Sequence, residues 1–180
     1  SRQEATTTLD NNASTLGKDL IYSENYRVPG TPQEVYSLGF TYNSPKFWRA
    51  GISVNYFDQL WLDYNPIRRT YRAVEGLDAN IPSDVDLRNQ ILAQQQLDAN
   101  YTVDFFWNWS WKIPKSWGLK KNNFIVFNVG INNLLNNQEI ISGGFEQLRF
   151  DFAEKNLSKF PPKLFYAYGL NYFASVTYRF

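Results

Sequence analysis

The chain has 180 residues, a net charge of +1, 18% aromatic residues and neither His, Cys nor Met. Balanced charge without basic runs excludes the usual nucleic-acid-binding pattern. The missing His and Cys exclude the commonest catalytic base, thiolate chemistry and zinc clusters. We therefore expect no enzyme, no metal site and no cofactor. Because Met is absent even at position 1, we expect a processed or truncated chain.

The first segment, 1–31, is polar and predicts a loop or a weak strand. Residues 32–180 then alternate apolar and polar side chains in five segments, which predicts β-strands with one apolar face. These segments are 34–43, 47–64, 97–113, 123–132 and 166–180. They exceed the about 5–6 residues of an average globular strand. The sequence has no stretch of about 18 apolar residues, so no membrane-spanning helix is predicted. A tilted barrel strand, however, needs only about 10 alternating residues.

The connections between the predicted strands alternate in length. Those at 43–46 and 114–122 are short, whereas 61–96, with a possible helix at 85–96, and 137–163 are long. Outer-membrane barrels have short periplasmic turns and long extracellular loops. The sequence therefore predicts an all-β, antiparallel transmembrane barrel segment with extracellular loops and a periplasmic C-terminus.

Aromatic residues concentrate beside the predicted short turns. Barrels carry aromatic girdles at both membrane interfaces, where a ring lies half in lipid. The predicted girdle consists of Tyr42, Trp48, Trp109, Trp111 and Trp117. Tyr64 and Tyr166 are candidates for the girdle at the other interface.

Two stretches carry a family resemblance. Residues 127–136 read FNVGINNLLN and resemble the V-x-N-L-F-N/D stretch near the end of TonB-dependent outer-membrane receptors, with Leu135 where Phe is usual. Residues 56–70, which include NPIRRT at 65–70, resemble the carboxypeptidase-regulatory-like, SusC-like branch of these receptors. The resemblance covers about 32–180.

The resemblance implies energy-coupled ligand import across the outer membrane of a Gram-negative bacterium. This chain would supply about the last five or six strands of a barrel of about 22 strands. The implied partners are the remainder of the barrel and a plug domain that this chain lacks, the TonB energy-coupling complex acting through that plug, and the barrel-assembly machinery. A surface lipoprotein lid, lipid and lipopolysaccharide are further implied partners, and nucleic acid is not.

The terminal strand resembles the signal that the barrel-assembly machinery reads, with Ser175 in place of the usual Gly. The signal residues are Tyr172, Val176, Tyr178 and Phe180. The same side chains would also serve simply as lipid-facing residues.

Ligand-binding residues are not defined by any motif. Arg68 and Arg69 are candidates for contacting an anionic ligand or lipopolysaccharide, because Arg suits phosphate groups. Asp84 and Asp86, with Asp78, form an acidic cluster whose spacing does not fit a calcium loop. Solvated loop residues are an equal alternative for the two arginines and the preferred interpretation of the aspartates.

Two other functions remain open at this stage. The barrel can be a structural or interaction component of an outer-membrane complex without transport, or the alternating strands can form a soluble carbohydrate-binding sandwich. An upstream plug domain would favour the receptor, and folding in plain buffer would favour the sandwich.

Overall fold

The structure of the protein, a computed structural model, describes residues 3–7, 17–118 and 122–180. Its strands are β1 (Gln3–Thr7), β2 (Gly17–Ile21), β3 (Glu34–Asn43), β4 (Trp48–Asp58), β5 (Leu60–Trp61), β6 (Gln96–Leu97), β7 (Asn100–Lys112), β8 (Phe124–Asn132), β9 (Ile141–Phe145), β10 (Lys163–Tyr166) and β11 (Asn171–Arg179). Its α-helices are α1 (Tyr71–Val74) and α2 (Pro82–Leu92), and short 3₁₀ turns lie at Ile67–Arg69 and Lys115–Trp117. The protein is all-β in character, with antiparallel sheets.

One five-stranded sheet dominates, in the order β11-β8-β7-β4-β3. Every neighbouring pair is antiparallel and follows chain order, so the sheet is a meander. Its strands are 9 to 13 residues long. Within the described residues, β3 and β11 each pair on one side only, so the sheet is open at both edges.

The described residues divide into two compact units. The sheet unit comprises Gln33–Gln59, Asp98–Ile141 and Tyr166–Phe180, and it holds the five-stranded sheet. The loop unit comprises Leu60–Leu97, Ser142–Phe165 and the described residues up to Pro32. It contains most of the two long predicted connections.

The loop unit has its own apolar core. Ala73 and Ile91 are fully buried where α1 meets α2, and Val74 is nearly so. Aromatic and leucine side chains close over them, namely Tyr22, Leu77, Leu87, Leu92, Phe150, Phe152 and Leu157. Pro82 lies in the first turn of α2, where backbone N–H groups have no partner within the helix, so the N–H that proline lacks is not missed.

Two predicted strand boundaries are wrong. The strand predicted at 47–64 ends at Asp58, because Gln59 adopts a left-handed conformation with φ 52°. Leu62 and Leu97, expected on the apolar sheet face, are buried in the loop unit instead. The strand predicted at 97–113 correspondingly begins at Asn100, and Leu97 belongs to β6.

The last predicted strand, 166–180, is interrupted at 167–170. The side chain of Asn136 accepts a hydrogen bond from the backbone N–H of Leu170 at 2.9 Å, and Asn133 donates to the carbonyl of Tyr168 at 3.2 Å. These side chains occupy backbone groups that a continuous strand would pair. In addition, 137–163 is not wholly irregular, because β9 within it pairs with β10.

The prediction for 1–31 is tested only in part. Residues 1, 2, 8–16 and 119–121 lie outside the described residues. Within the described part, β1 pairs with β2 in antiparallel fashion.

Candidate functional site

The five-stranded sheet has one continuous apolar face. Residues opposite each other in register lie on the same face, and the register aligns Phe40 with Ile52, Ile52 with Phe105, and Phe105 with Ile131. Much of this face is open: Leu38 is 80% exposed and Val176 is 68% exposed. An exposed apolar surface of this extent marks an interaction site rather than an ordinary water-facing surface.

The predicted girdle residues gather at the end of the sheet that carries the short connections. Trp48 lies directly opposite Trp109 in register. The ring of Tyr42 contacts that of Trp48, with centroids 5.3 Å apart, and Trp111 meets Trp117 edge-on at 5.9 Å. The structure therefore places these five residues at the same end of the sheet, with Tyr42, Trp48 and Trp111 at successive levels of the register.

A second aromatic row, at the other end of the apolar face, was missed by sequence reasoning. Tyr36, Tyr56 and Tyr101 are consecutive partners across β3, β4 and β7. The hydroxyls of Tyr36 and Tyr56 donate to the carboxylates of Glu34 at 3.3 Å and Asp58 at 3.2 Å. Tyr36 and Tyr56 thus each combine an apolar ring on this face with a hydrogen-bonded polar tip at the strand end.

Tyr64, expected in this second row, lies elsewhere. It packs edge-on against Tyr26, with ring centroids 4.8 Å apart, in the loop unit. Tyr166 is exposed at the end of β10. In the sequence, Tyr36, Tyr56 and Tyr101 each occupy the apolar phase of an alternating segment, and the register then places them side by side.

The two aromatic rows are well separated along β4. From Trp48 to Tyr56, β4 rises about 26 Å at about 3.3 Å per residue. Between the rows, β4 presents only Ala50, Ile52 and Val54 to the apolar face.

The opposite face of the sheet is polar and hydrogen-bonded across the strands. Ser37 donates to Asn55 at 2.7 Å, and Asn55 donates to Asp104 at 2.8 Å. A second row consists of Asn108, Asn128 and Ser175. The amides on this face are therefore satisfied by side chains of neighbouring strands.

Two phenylalanines interrupt the polar face, and each covers a glycine. A Cβ at Gly51 would overlap the ring of Phe106, and one at Gly130 would overlap the ring of Phe173. Arg49 lies over the Phe106 ring at 5.7 Å from its centroid. Both rings therefore pack onto bare backbone, and the Phe106 ring does so beneath a cation, although Phe106 and Phe173 both remain exposed.

The terminal strand β11 is exposed on both faces. The four predicted assembly-signal residues share the apolar face, and Phe180 follows the strand end at 84% exposure. The rings of Tyr178 and Phe180 are in contact, with centroids 5.9 Å apart. Asn123 donates to the Tyr178 hydroxyl, and Ser175 lies on the polar face opposite Asn128.

The predicted ligand candidate Arg69 is fully buried in the loop unit. Its guanidinium binds the carboxylate of Glu146 through both terminal nitrogens, with one contact at 2.7 Å, and it also donates to Ala93 O at 2.6 Å and to Tyr26 Oη at 2.9 Å. Asn65 donates its backbone N–H to the same carboxylate at 3.0 Å. These contacts join the two long connections within one unit.

Electrostatics in this cluster favour the ion pair. Burial alone would lower the pKa of Arg69, but the hydrogen bonds and negative charge of Glu146 outweigh it and raise that pKa. Burial raises the pKa of the Tyr26 phenol, and Arg69 opposes that change. Arg69 therefore stays charged and Tyr26 stays a neutral hydroxyl.

Arg68 is placed differently from Arg69. It donates to the carbonyls of Ile91 at 2.9 Å and Gln90 at 2.8 Å, and it remains partly exposed beside Glu146 at 3.5 Å. Burial lowers its pKa, Glu146 opposes this shift, and the neighbouring Arg69 adds to it.

The acidic candidates lie around α2. Asp84, in the first turn of α2, accepts a hydrogen bond from the backbone N–H of Asp78 at 3.0 Å. Asp86 also lies in α2, and its side chain is exposed. Among the described residues, no group of three or more acidic side chains is placed to hold a metal ion.

No protein-family model, curated protein or solved structure matches this chain. In the part of the chain that the structure describes, neither helix has the length and apolar character needed to cross a membrane.

Proposed function

We propose that the chain is a segment of an outer-membrane β-barrel and that this barrel is a TonB-dependent receptor importing a ligand. The observation that carries the membrane assignment is the apolar sheet face, which runs across five strands between a tryptophan-rich row and a tyrosine row. In water, this large apolar face would be exposed unfavourably to solvent, whereas the lipid of a membrane would cover it.

Three further features support the barrel. The strands of 9 to 13 residues match the about 9–11 residues that a tilted strand needs to span the bilayer. The connections alternate between short, at 44–47 and 113–123, and long, at 59–99 and 133–170. The open edges at β3 and β11 leave backbone groups for additional strands, because closure removes such edges.

The receptor assignment draws on the resemblance of 127–136, and the geometry gives those residues a defined role. Asn133 and Asn136 both adopt left-handed conformations with φ 52°, which Asn tolerates better than most residues. Asn133 is nearly fully buried and also accepts from the backbone N–H of Asn137 at 3.1 Å. The asparagines of this stretch thus form the turn that leaves β8.

Fractionation and binding test the two parts of the proposal separately. We expect the protein in the outer-membrane fraction, resistant to alkaline extraction, and monodisperse only with detergent or lipid. A folded, monodisperse chain in plain buffer would contradict the membrane assignment.

For the receptor function, we expect the complete protein to bind the C-terminal domain of a TonB-class coupling protein. The control is the same protein without its segment upstream of the barrel. Outer-membrane localisation without such binding would instead favour the structural barrel component.

A further inference from the structure

A small cavity of about 160 Å³ lies within the loop unit, between the segment that carries Arg68 and the segment after β9. Its walls combine cations, amides and rings. The residues that matter here are Arg68, Arg149, Gln147, Asn156, Phe150 and Phe160. A cavity of about 150 Å³ can hold benzene, so this volume accommodates a ring-sized ligand group.

The charge around this cavity is positive. Glu146 is its one carboxylate, and both oxygens already bind Arg69. The contact from Arg68 to that carboxylate is long, at 3.5 Å. Within the described part of the chain, the guanidinium of Arg149 makes no hydrogen bond or ion pair. Two guanidiniums therefore line the cavity. Arg149 has no partner among the described residues, whereas Arg68 donates to the carbonyls of Ile91 and Gln90 and makes only a long contact with Glu146.

The amides add hydrogen-bond donors. Asn156 uses its side-chain oxygen to accept from the backbone N–H of Ser158 at 2.9 Å, which leaves its NH₂ group as a donor. Gln147 by contrast spends its NH₂ group on the carbonyl of Pro161 at 2.7 Å. Around these groups, the rings of Phe150 and Phe160 supply apolar walls.

We propose that this cavity binds a small organic anion, a carboxylate or phosphate group attached to an apolar body, with Arg149 and Arg68 contacting its oxygens. Guanidinium forks match the oxygen geometry of both groups, and the phenylalanine rings cover the attached apolar body. The desolvated guanidinium of Arg68, whose pKa burial lowers, gains from an anionic neighbour. The site lies within the loop unit and does not depend on the membrane or transport assignment.

Calorimetric titration of the purified full chain tests this site with three probes of similar shape. Benzoate and phenyl phosphate carry the two anionic groups, and benzyl alcohol is their neutral counterpart. We expect saturable binding of at least one anion, about tenfold or more tighter than that of benzyl alcohol, because hydrogen bonds to charged groups are the strong ones. The tighter anion identifies whether the natural ligand offers a carboxylate or a phosphate.

Variants locate the site. Arg149→Gln should weaken anion binding about tenfold or more, and Arg149→Lys should weaken it less because the charge remains. Arg88→Gln, an exposed arginine of α2 outside this cavity, should stay within about twofold. Arg149 is exposed, so its replacement leaves the buried core intact. Equal binding of the neutral probe, equal losses in Arg149→Gln and Arg88→Gln, or no saturable binding of either anion would overturn the proposal.

Discussion

The pairing of Arg69 with Glu146 illustrates how a single buried residue can organise a loop region. Arg69 lies in the 3₁₀ turn before α1, and Glu146 follows β9 directly, far along the chain. The carboxylate receives both guanidinium arms and the backbone N–H of Asn65. A carboxylate buried this deeply is tolerated only with such partners.

We predict that Arg69→Met lowers the free energy of unfolding of the loop unit by about 3–5 kcal/mol, because it leaves the Glu146 charge buried without its main partner. The double variant Arg69→Met/Glu146→Leu should regain part of this loss, since no unpaired carboxylate remains. Hydrogen exchange at the amides of α1 and α2 measures the effect.

Arg72→Met is the matched control for this prediction. Arg72 is exposed and lies over the Phe152 ring at 4.7 Å from its centroid, a contact worth about 0.5–1 kcal/mol. Equal effects of Arg69→Met and Arg72→Met would show that the buried pair is not what holds the loop unit together.

Among the elements, the long alternating strands were the most predictable. The strand predicted at 34–43 coincides with β3, and that at 123–132 begins one residue before β8. Period-two alternation is a local signal that needs no knowledge of the partner strand. The position of the tryptophan-rich row near the short connections follows from the same signal, since alternation and turn position fix the strand end at which each ring lies.

Local sequence patterns did not predict several other features of the fold. The interruption of 166–180 depends on Asn133 and Asn136, more than thirty residues away in sequence. β9 and β10 are short and stabilise each other only as a pair. The burial of Arg69 depends on Glu146, which no spacing rule connects to it. These outcomes arise from tertiary contacts that override local preference.

We predict that a charge at the centre of β4 is tolerated on one face only. Ile52 lies on the apolar face midway between the two aromatic rows, and Ser53 lies on the polar face opposite Asp104. Ile52→Arg should cost about 2–4 kcal/mol, the penalty for Arg facing lipid at mid-membrane. Ser53→Arg should change stability far less, because Asp104 can pair with the added cation.

Urea unfolding in lipid bilayers, together with the yield of folded protein in the outer membrane, distinguishes these two neighbouring variants. The comparison controls for position, since both changes lie in the same strand at almost the same depth. Comparable damage from both would mean that the two faces of the sheet do not meet different environments.

At the scale of the whole molecule, the meander dictates the sidedness of the connections. Consecutive antiparallel strands place 44–47 and 113–123 at one end of the sheet, and the connections around 59–99 and 133–170 at the other. The tryptophan-rich row lies at the first end and the tyrosine row at the second. If the sheet spans the outer membrane, the short connections face the periplasm and the long ones face outward.

Single cysteines can report this sidedness, because the chain contains none of its own. Suitable exposed positions are Asp86 in α2, Leu148 after β9, and Lys46 in the first short turn. On intact cells, we expect a membrane-impermeant maleimide to label Asp86→Cys and Leu148→Cys and to spare Lys46→Cys. Permeabilised cells, in which all three should react, control for accessibility of the thiols. Labelling of position 46 with protection of 86 and 148 would reverse the orientation, and equal labelling of all three on intact cells would contradict a membrane-spanning sheet.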